Sequence, residues 1–267
     1  MSDPAFISSL IAGGCAGTSV DISLFPLDTI KTRLQSSQGF WKAGGFSRIY
    51  AGIGPAAVGS APNAAIFFCT YDSVKKMAKQ AGATDGTALH MTAASLGEIT
   101  ACLVRVPVEV VKQRRQASVG HSSFGIIKDV LSSEGPRGLY RGYITTVLRE
   151  IPFSFIQFPL WEFLKRQVSA KTGSDPTPIQ SSLCGAISGG FAAAVTTPLD
   201  VAKTRIMLAP TGSPEAAMGI FTMLKNVGSE KGLKGLFAGV IPRTTWIFIG
   251  GGVFFGVYEK VISVLER

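Results

Sequence analysis

One eight-residue pattern occurs three times in this chain: proline, any residue, an acid, two more residues, lysine, any residue, arginine. The copies run from Pro26 to Arg33, from Pro107 to Arg114 and from Pro198 to Arg205. A second set keeps the same phase. Tyr50-Ala51-Gly52, Tyr140-Arg141-Gly142 and Phe237-Ala238-Gly239 are each followed, nineteen residues after the glycine, by an aromatic-acid pair: Tyr71-Asp72, Trp161-Glu162 and Tyr258-Glu259. Equal spacing without a gap requires equivalent helices, so the chain reads as three copies of one two-helix unit, 1–82, 83–173 and 174–267.

Each unit holds two apolar stretches near the ~20 residues that span a bilayer. They lie at about 4–27, 51–71, 88–108, 143–161, 178–199 and 239–258, with a proline motif closing each odd one. Only 16% of the residues are charged and 46% are hydrophobic, which favours a single polytopic membrane domain over a pair of soluble ones. Glycine recurs in these stretches, as in Gly13-x3-Gly17 and Gly185-x3-Gly189, where small residues let helices approach. Six spans put both termini on one side. The longer connections carry 15 of the 26 Lys and Arg, so they face the interior compartment by the positive-inside bias.

The net charge of +9 does not indicate nucleic acid. Its Lys and Arg gather at the ends of apolar stretches, where lipid head groups lie, and not on one aromatic-lined face. Cys15, Cys69, Cys102 and Cys184 form no CxxC pair and read as small packing residues. His90 and His121 lack ligand spacing and read as loop or helix-end residues. No nucleophile-base-acid set, metal spacing, phosphate loop or strand pattern is visible, so an enzyme is disfavoured and no cofactor is expected. A channel is the other rival, against which stand two charged closures at opposite mouths.

Proline removes a backbone hydrogen bond, so Pro26, Pro107 and Pro198 are expected to kink their helices. The acid and the lysine that follow lie three apart on one helical face. Three such helices around an axis give a ring of alternating charge: Asp28, Lys31, Glu109, Lys112, Asp200 and Lys203. Pairing between neighbouring helices would close that mouth. An exposed ring would be worth only ~0–1 kcal/mol per pair and could therefore break and re-form. The opposite mouth has Asp72 with Lys75 and Glu162 with Lys165, while Glu259 has Ile262 where the third lysine would stand.

The triplicated motif resembles that of the mitochondrial carrier family, and the likeness covers the whole chain. It is carried further by F-P-L-D-T-I-K-T-R-L-Q-S (25–36), K-A-G-G-F (42–46), P-N-A-A (62–65), R-V-P-V-E-V-V-K-Q-R (105–114) and L-R-E-I-P-F-S (148–154). The resemblance implies an all-α membrane protein, with six transmembrane helices in three two-helix repeats around a pseudo-threefold cavity, and short matrix helices between them. It further implies an inner mitochondrial membrane location with both termini in the intermembrane space, a monomer, contacts with lipids such as cardiolipin, and exchange of S-adenosylmethionine for S-adenosylhomocysteine without ATP. Another amino acid or a nucleotide is the alternative cargo. The proline-motif ring then becomes the matrix gate, braced by Gln35 and Gln116 with Met207 at the third brace position, and the aromatic-acid set becomes the cytoplasmic gate. The acid-glycine element that the family places in each matrix connection is intact only as Glu134-Gly135, with Gly44-Gly45 and Lys231-Gly232 departing from it.

Positions that break the threefold pattern should read an asymmetric substrate. Asp21 stands where the other repeats have Cys102 and Ala193, and Glu98 stands opposite Gly17 and Gly189. The triplet Gly59, Arg149, Trp246 is followed by Ser60, Glu150, Ile247. Ionisable groups in a span are costly and mark function, although a structural ion pair such as Arg149 with Glu98 would also account for them. Arg149 suits a carboxylate by bidentate bonding; Asp21, Glu98 and Glu150 suit the two cationic centres; Trp246 suits an adenine ring or a cation. Arg105 and Arg243 lie near the mouths, placed to steer anions or pair with gates.

Overall fold

The computed structural model describes the backbone of residues 4–82, 87–118 and 120–265. Helices α1 (Pro4–Gln35), α2 (Ile53–Gln80) and α3 (Thr87–Ala117) come first, then the short α4 (Ser123–Ser133) and α5 (Pro136–Leu139). The remainder are α6 (Tyr143–Thr172), α7 (Pro178–Val195), α8 (Thr197–Leu208), α9 (Pro214–Ala217), α10 (Ile220–Leu236) and α11 (Val240–Leu265). Around the bundle α1 packs on α2, α2 on α3, α3 on α6, α6 on α7 and α7 on α11, and α11 returns to α1. That closes a six-membered ring of long elements.

Local sequence sets the helix starts. Thr177 and Gln180 form a reciprocal capping box ahead of α7, with Pro178 at its first position, where a missing N–H costs nothing. Ser122 caps α4 by accepting from the Gly125 N–H. Gly52, Gly142 and Gly239 start the even helices with φ of 94°, 80° and 76°. A side chain there would also collide. A Cβ at Gly52 would lie 2.9 Å from the Lys112 carbonyl oxygen, one at Gly142 would lie 3.0 Å from Met207 Cγ, and one at Gly239 3.3 Å from the Lys31 carbonyl. Each even helix thus starts against the odd helix of the following repeat, in cyclic order.

The three prolines do not act alike. The helix runs on through Pro26 in α1 and Pro107 in α3, whereas in the third repeat it breaks at Thr196, leaving α7 and α8 bent by 63°. The connections differ as well. Repeat 2 has α4 and repeat 3 has α10, but residues 36–52 of repeat 1 form turns only, so short connecting helices are found in two repeats of three.

Beside its apolar clusters the bundle buries long polar side chains and exposes large apolar ones. Its largest fully buried side chains include Arg33, Lys203, Gln35 and Gln116, while Val58, Ile144, Phe155, Phe191 and Ile241 stand well exposed on its outer surface. Even so, among the described residues no single helix is long and apolar enough to cross a membrane. Two bent pairs are: Pro178–Val195 with Thr197–Leu208, and Ile220–Leu236 with Val240–Phe254 at 53°. The expected apolar stretches do not stand out one by one because small and polar residues such as Gly54, Gly59, Ser60, Pro62 and Asn63 in α2 lower their mean hydropathy.

Candidate functional site

The proline-motif charges meet at the axis as a closed ring. Lys112 reaches Asp28 at 2.8 Å, Lys203 reaches Glu109 at 2.7 Å and Lys31 reaches Asp200 at 2.7 Å. Every pair joins two repeats, and the sense is constant: the acids of repeats 1, 2 and 3 meet the lysines of repeats 2, 3 and 1. Lys112 also lies over the Phe25 ring, 5.2 Å from its centroid. The ring is more buried than expected. Lys203 and Asp200 are almost wholly out of solvent, so water does not screen their pairs as it would on an exposed ring. In a buried pair the cost of desolvation offsets much of the Coulomb attraction.

Two pairs have a glutamine beneath them. Gln116 donates to Asp28 at 2.9 Å and Gln35 donates to Asp200 at 2.9 Å. Met207 stands at the third position, and there Gln113 donates to Glu109 at 2.9 Å from the same helix.

A second layer lies below. Arg33 Nε donates to the Gln116 carbonyl at 2.8 Å and Arg114 Nε donates to the Met207 carbonyl at 3.2 Å, each crossing to the next repeat. The equivalent Arg205 Nε is buried and makes no hydrogen bond. The other guanidinium nitrogens bind within the connections: Arg33 to the Gly45 and Ser47 carbonyls, Arg114 to Glu134, Arg205 to Glu230. Repeat 3 therefore does have an acid, displaced one residue upstream of Lys231, and repeat 1 substitutes backbone carbonyls. Gly45, Gly135 and Gly232 all have positive φ, of 52°, 66° and 57°. Glu134 also binds Arg141 and accepts from Thr211 at 2.7 Å. Burial works to raise its pKa, but the Thr211 hydroxyl and the guanidinium groups of Arg114 and Arg141 outweigh it and hold the carboxyl below the ordinary glutamate range.

At the opposite mouth no ion pair joins Asp72, Lys75, Glu162 or Lys165 to another repeat among the described residues. Glu162 meets Lys165 of its own helix at 3.5 Å, and Lys165 lies over Trp161. Lys75 lies over Tyr71, and Asp72 makes no ion pair among the described residues. The side chains of Glu259 and His90 lie outside the described residues. His121 is in the loop ahead of α4, 3.8 Å from Asp129. Cys102 and Cys184 are buried packing residues as expected, whereas Cys15 and Cys69 are exposed.

The unmatched charges form a chain between α3, α6 and the ring. Glu98 pairs with Arg105 and not with Arg149; a separation of seven positions puts both on one face of α3. Arg105 lies 3.7 Å from Glu150, which pairs with its neighbour Arg149, and Arg149 Nε lies 3.7 Å from Asp200. Arg243 lies 3.9 Å from Asp200 and donates to Thr196 at 3.0 Å. Asp200 is thus shared by Lys31, Gln35, Arg149 and Arg243. One nitrogen each of Arg149 and Arg243 is buried without an acceptor, which leaves hydrogen-bonding capacity for an anion. Asp21 is exposed on α1, two turns before Asp28, and Trp246 is half-buried on α11. Gly59, the repeat 1 equivalent of Arg149 and Trp246, has no space for a side chain, because a Cβ there would lie 2.5 Å from Val108.

A threefold bundle with a ring of cross-repeat ion pairs at one mouth and unmatched charges above it is the architecture of a solute carrier, and the family model described as mitochondrial carrier protein matches residues 2–82, 84–172 and 174–267. The chain belongs to the mitochondrial carrier family. It is 57% identical over 270 residues to the mitochondrial S-adenosylmethionine carrier protein of Mus musculus, covering 99% of this chain and 97% of the relative. To the protein of the same name from Danio rerio it is 58% identical, covering 97% and 98%. To the S-adenosylmethionine mitochondrial carrier protein homolog of Drosophila melanogaster it is 52% identical, covering 97% and 93%.

Proposed function

We propose that this chain is a carrier of the inner mitochondrial membrane that imports S-adenosylmethionine into the matrix in exchange for S-adenosylhomocysteine. The observation that carries the reading is the asymmetry between the two mouths. Three ion pairs link all repeats at one end, while at the other Glu162 and Lys165 pair within one helix and Asp72 has no ion pair among the described residues. The proline-motif ring acts as the matrix gate, closed in this conformation, and the aromatic-acid set acts as the cytoplasmic gate. The six long elements span the bilayer as one domain of three repeats, 1–82, 83–173 and 174–267, with both termini in the intermembrane space. Apolar side chains on the outside and ions on the inside suit that placement.

In this reading Arg149 takes the substrate carboxylate, Asp21, Glu98 and Glu150 offer carboxylates to its ammonium and sulfonium, and Trp246 stacks on adenine. Relatives more than half identical that are named as S-adenosylmethionine carriers support that cargo. The carrier works as a monomer among lipids. A cleft of about 890 Å³ between repeats 2 and 3, lined by Arg137, Arg141 and the start of α10, suits an anionic head group such as cardiolipin.

The test is uptake by liposomes containing the purified protein, with labelled S-adenosylmethionine, amino acids and nucleotides offered outside. Saturable uptake of S-adenosylmethionine, accelerated by internal S-adenosylhomocysteine, is expected. Uptake of a different compound, or flux that neither saturates nor counter-exchanges, would overturn the proposal.

A further inference from the structure

The glutamines beneath the ring differ in which repeat supplies them. Gln116 of repeat 2 donates to Asp28 and accepts from the Thr32 hydroxyl at 2.9 Å, both of repeat 1. Gln35 of repeat 1 donates to Asp200 and accepts from the Thr204 hydroxyl at 2.7 Å, both of repeat 3. Each amide bridges an interface, held by an acid and by the threonine four residues after it. At the interface of repeats 2 and 3 both halves of this arrangement change. Met207, at the bridging position, is buried in an apolar cluster with Cys102, Val106 and Val110. Gln113, at the threonine position, donates Nε2 to Glu109 Oε1 at 2.9 Å, and its own Oε1 is buried without a partner.

We infer that Gln113 is a positioning residue that replaces the missing bridge from the acid's own helix. Its amide fixes one oxygen of Glu109, so that the carboxylate presents both oxygens to Lys203 at 2.7 Å. Because donor and acceptor share α3, this hydrogen bond survives when repeats 2 and 3 part. The bonds of Gln116 and Gln35 to Asp28 and Asp200 cannot survive the parting of their interfaces. The Glu109–Lys203 pair is oriented as well as the other two, yet its interface separates without breaking an amide hydrogen bond in this layer. The inference rests on reading the ring as a gate.

The experiment compares wild type, Gln113→Thr, and Gln113→Thr combined with Met207→Gln, by S-adenosylmethionine exchange in liposomes and by thermal unfolding in detergent. Gln113→Thr alone should lower the unfolding temperature. Adding Met207→Gln rebuilds the cross-repeat bridge, so it should raise that temperature again and cut turnover at saturation about three- to tenfold relative to wild type. Half-saturation should stay within about twofold, since one hydrogen bond of the closed state is at stake and no substrate contact. The inference is overturned if Gln113→Thr changes neither measurement, or if adding Met207→Gln fails to raise the unfolding temperature. If wild type carries no S-adenosylmethionine, the proposed cargo fails, while the unfolding series still judges Gln113.

Discussion

Lys112 and Asp28 meet at 2.8 Å across the interface of repeats 1 and 2, each about a quarter exposed, which makes theirs the one ring pair in which both partners keep some contact with solvent. A charge change is therefore best tolerated here for folding. Lys112→Glu should place two carboxylates together and reduce exchange by at least about tenfold. Asp28→Lys in the same chain should recover part of the rate, whereas Lys112→Glu paired with Asp200→Lys should not. Normal exchange by the single variant would show that the ring is not a gate.

Arg149 holds Glu150, leans on Asp200 and has one buried nitrogen without an acceptor. Arg149→Ala should abolish uptake while the protein still inserts. Arg149→Lys should also be poor, because an ammonium lacks the planar fork that grips a carboxylate with two bonds. Uptake assays on both variants test this; full activity with lysine would reduce the requirement to a point charge.

Asp21 precedes the ring by two turns and has no acidic counterpart in the other repeats. Asp21→Asn keeps its shape and removes its charge. Losing one charge-assisted contact costs about 1.5–3 kcal/mol, or roughly ten- to a hundredfold in apparent affinity. If the contact is with the sulfonium, S-adenosylmethionine should weaken more than S-adenosylhomocysteine, which has a neutral thioether. Equal weakening would assign Asp21 to the α-ammonium, and unchanged competition by both ligands would make it structural.

Glu134 gives a pH dependence of known sign. Its carboxyl is held below the ordinary glutamate value of about 4.3 by Thr211, Arg114 and Arg141. The stability it contributes is complete above the unfolded-chain value and is lost as pH falls through the lower folded value. Thermal unfolding between about pH 6 and pH 3 should therefore show a decline that Glu134→Gln flattens. Parallel curves for the two proteins would remove Glu134 from the account.

What could be read in the sequence was what the threefold repeat displays. Six ring charges follow from counting along three copies, while the brace positions of Gln35, Gln116 and Met207 come from the family resemblance. The partner of Lys112 does not follow from counting, because Asp28 and Asp200 are equivalent until the handedness of the bundle chooses between them. Departures from the register were harder still. Glu230 is one residue off the acid position, and only the fold shows that it reaches Arg205. Gln113 sits in register with Thr32 and Thr204, and the visible signal was that a glutamine appears there in the repeat where Met207 has replaced one. The sequence offers Arg149 as a partner for Glu98 because ionisable groups are rare in the apolar stretches, but the nearer cation, on the same helix face, is Arg105.

Every ion pair of the ring, and every glycine start, binds one repeat to the next in the cycle and none depends on where the chain begins. Gly239 lies against Lys31 and Gly250 against Leu24 and Val20, so α11 runs antiparallel to α1, and the start of α1 and the end of α11 lie at the same end of the bundle. The break between the end of α11 and the start of α1 is thus equivalent to the loops that join the repeats. A circular permutant opening at residue 83 would present the same acids to the same lysines, because the architecture is defined by the cyclic order of its units and not by a first and a last one.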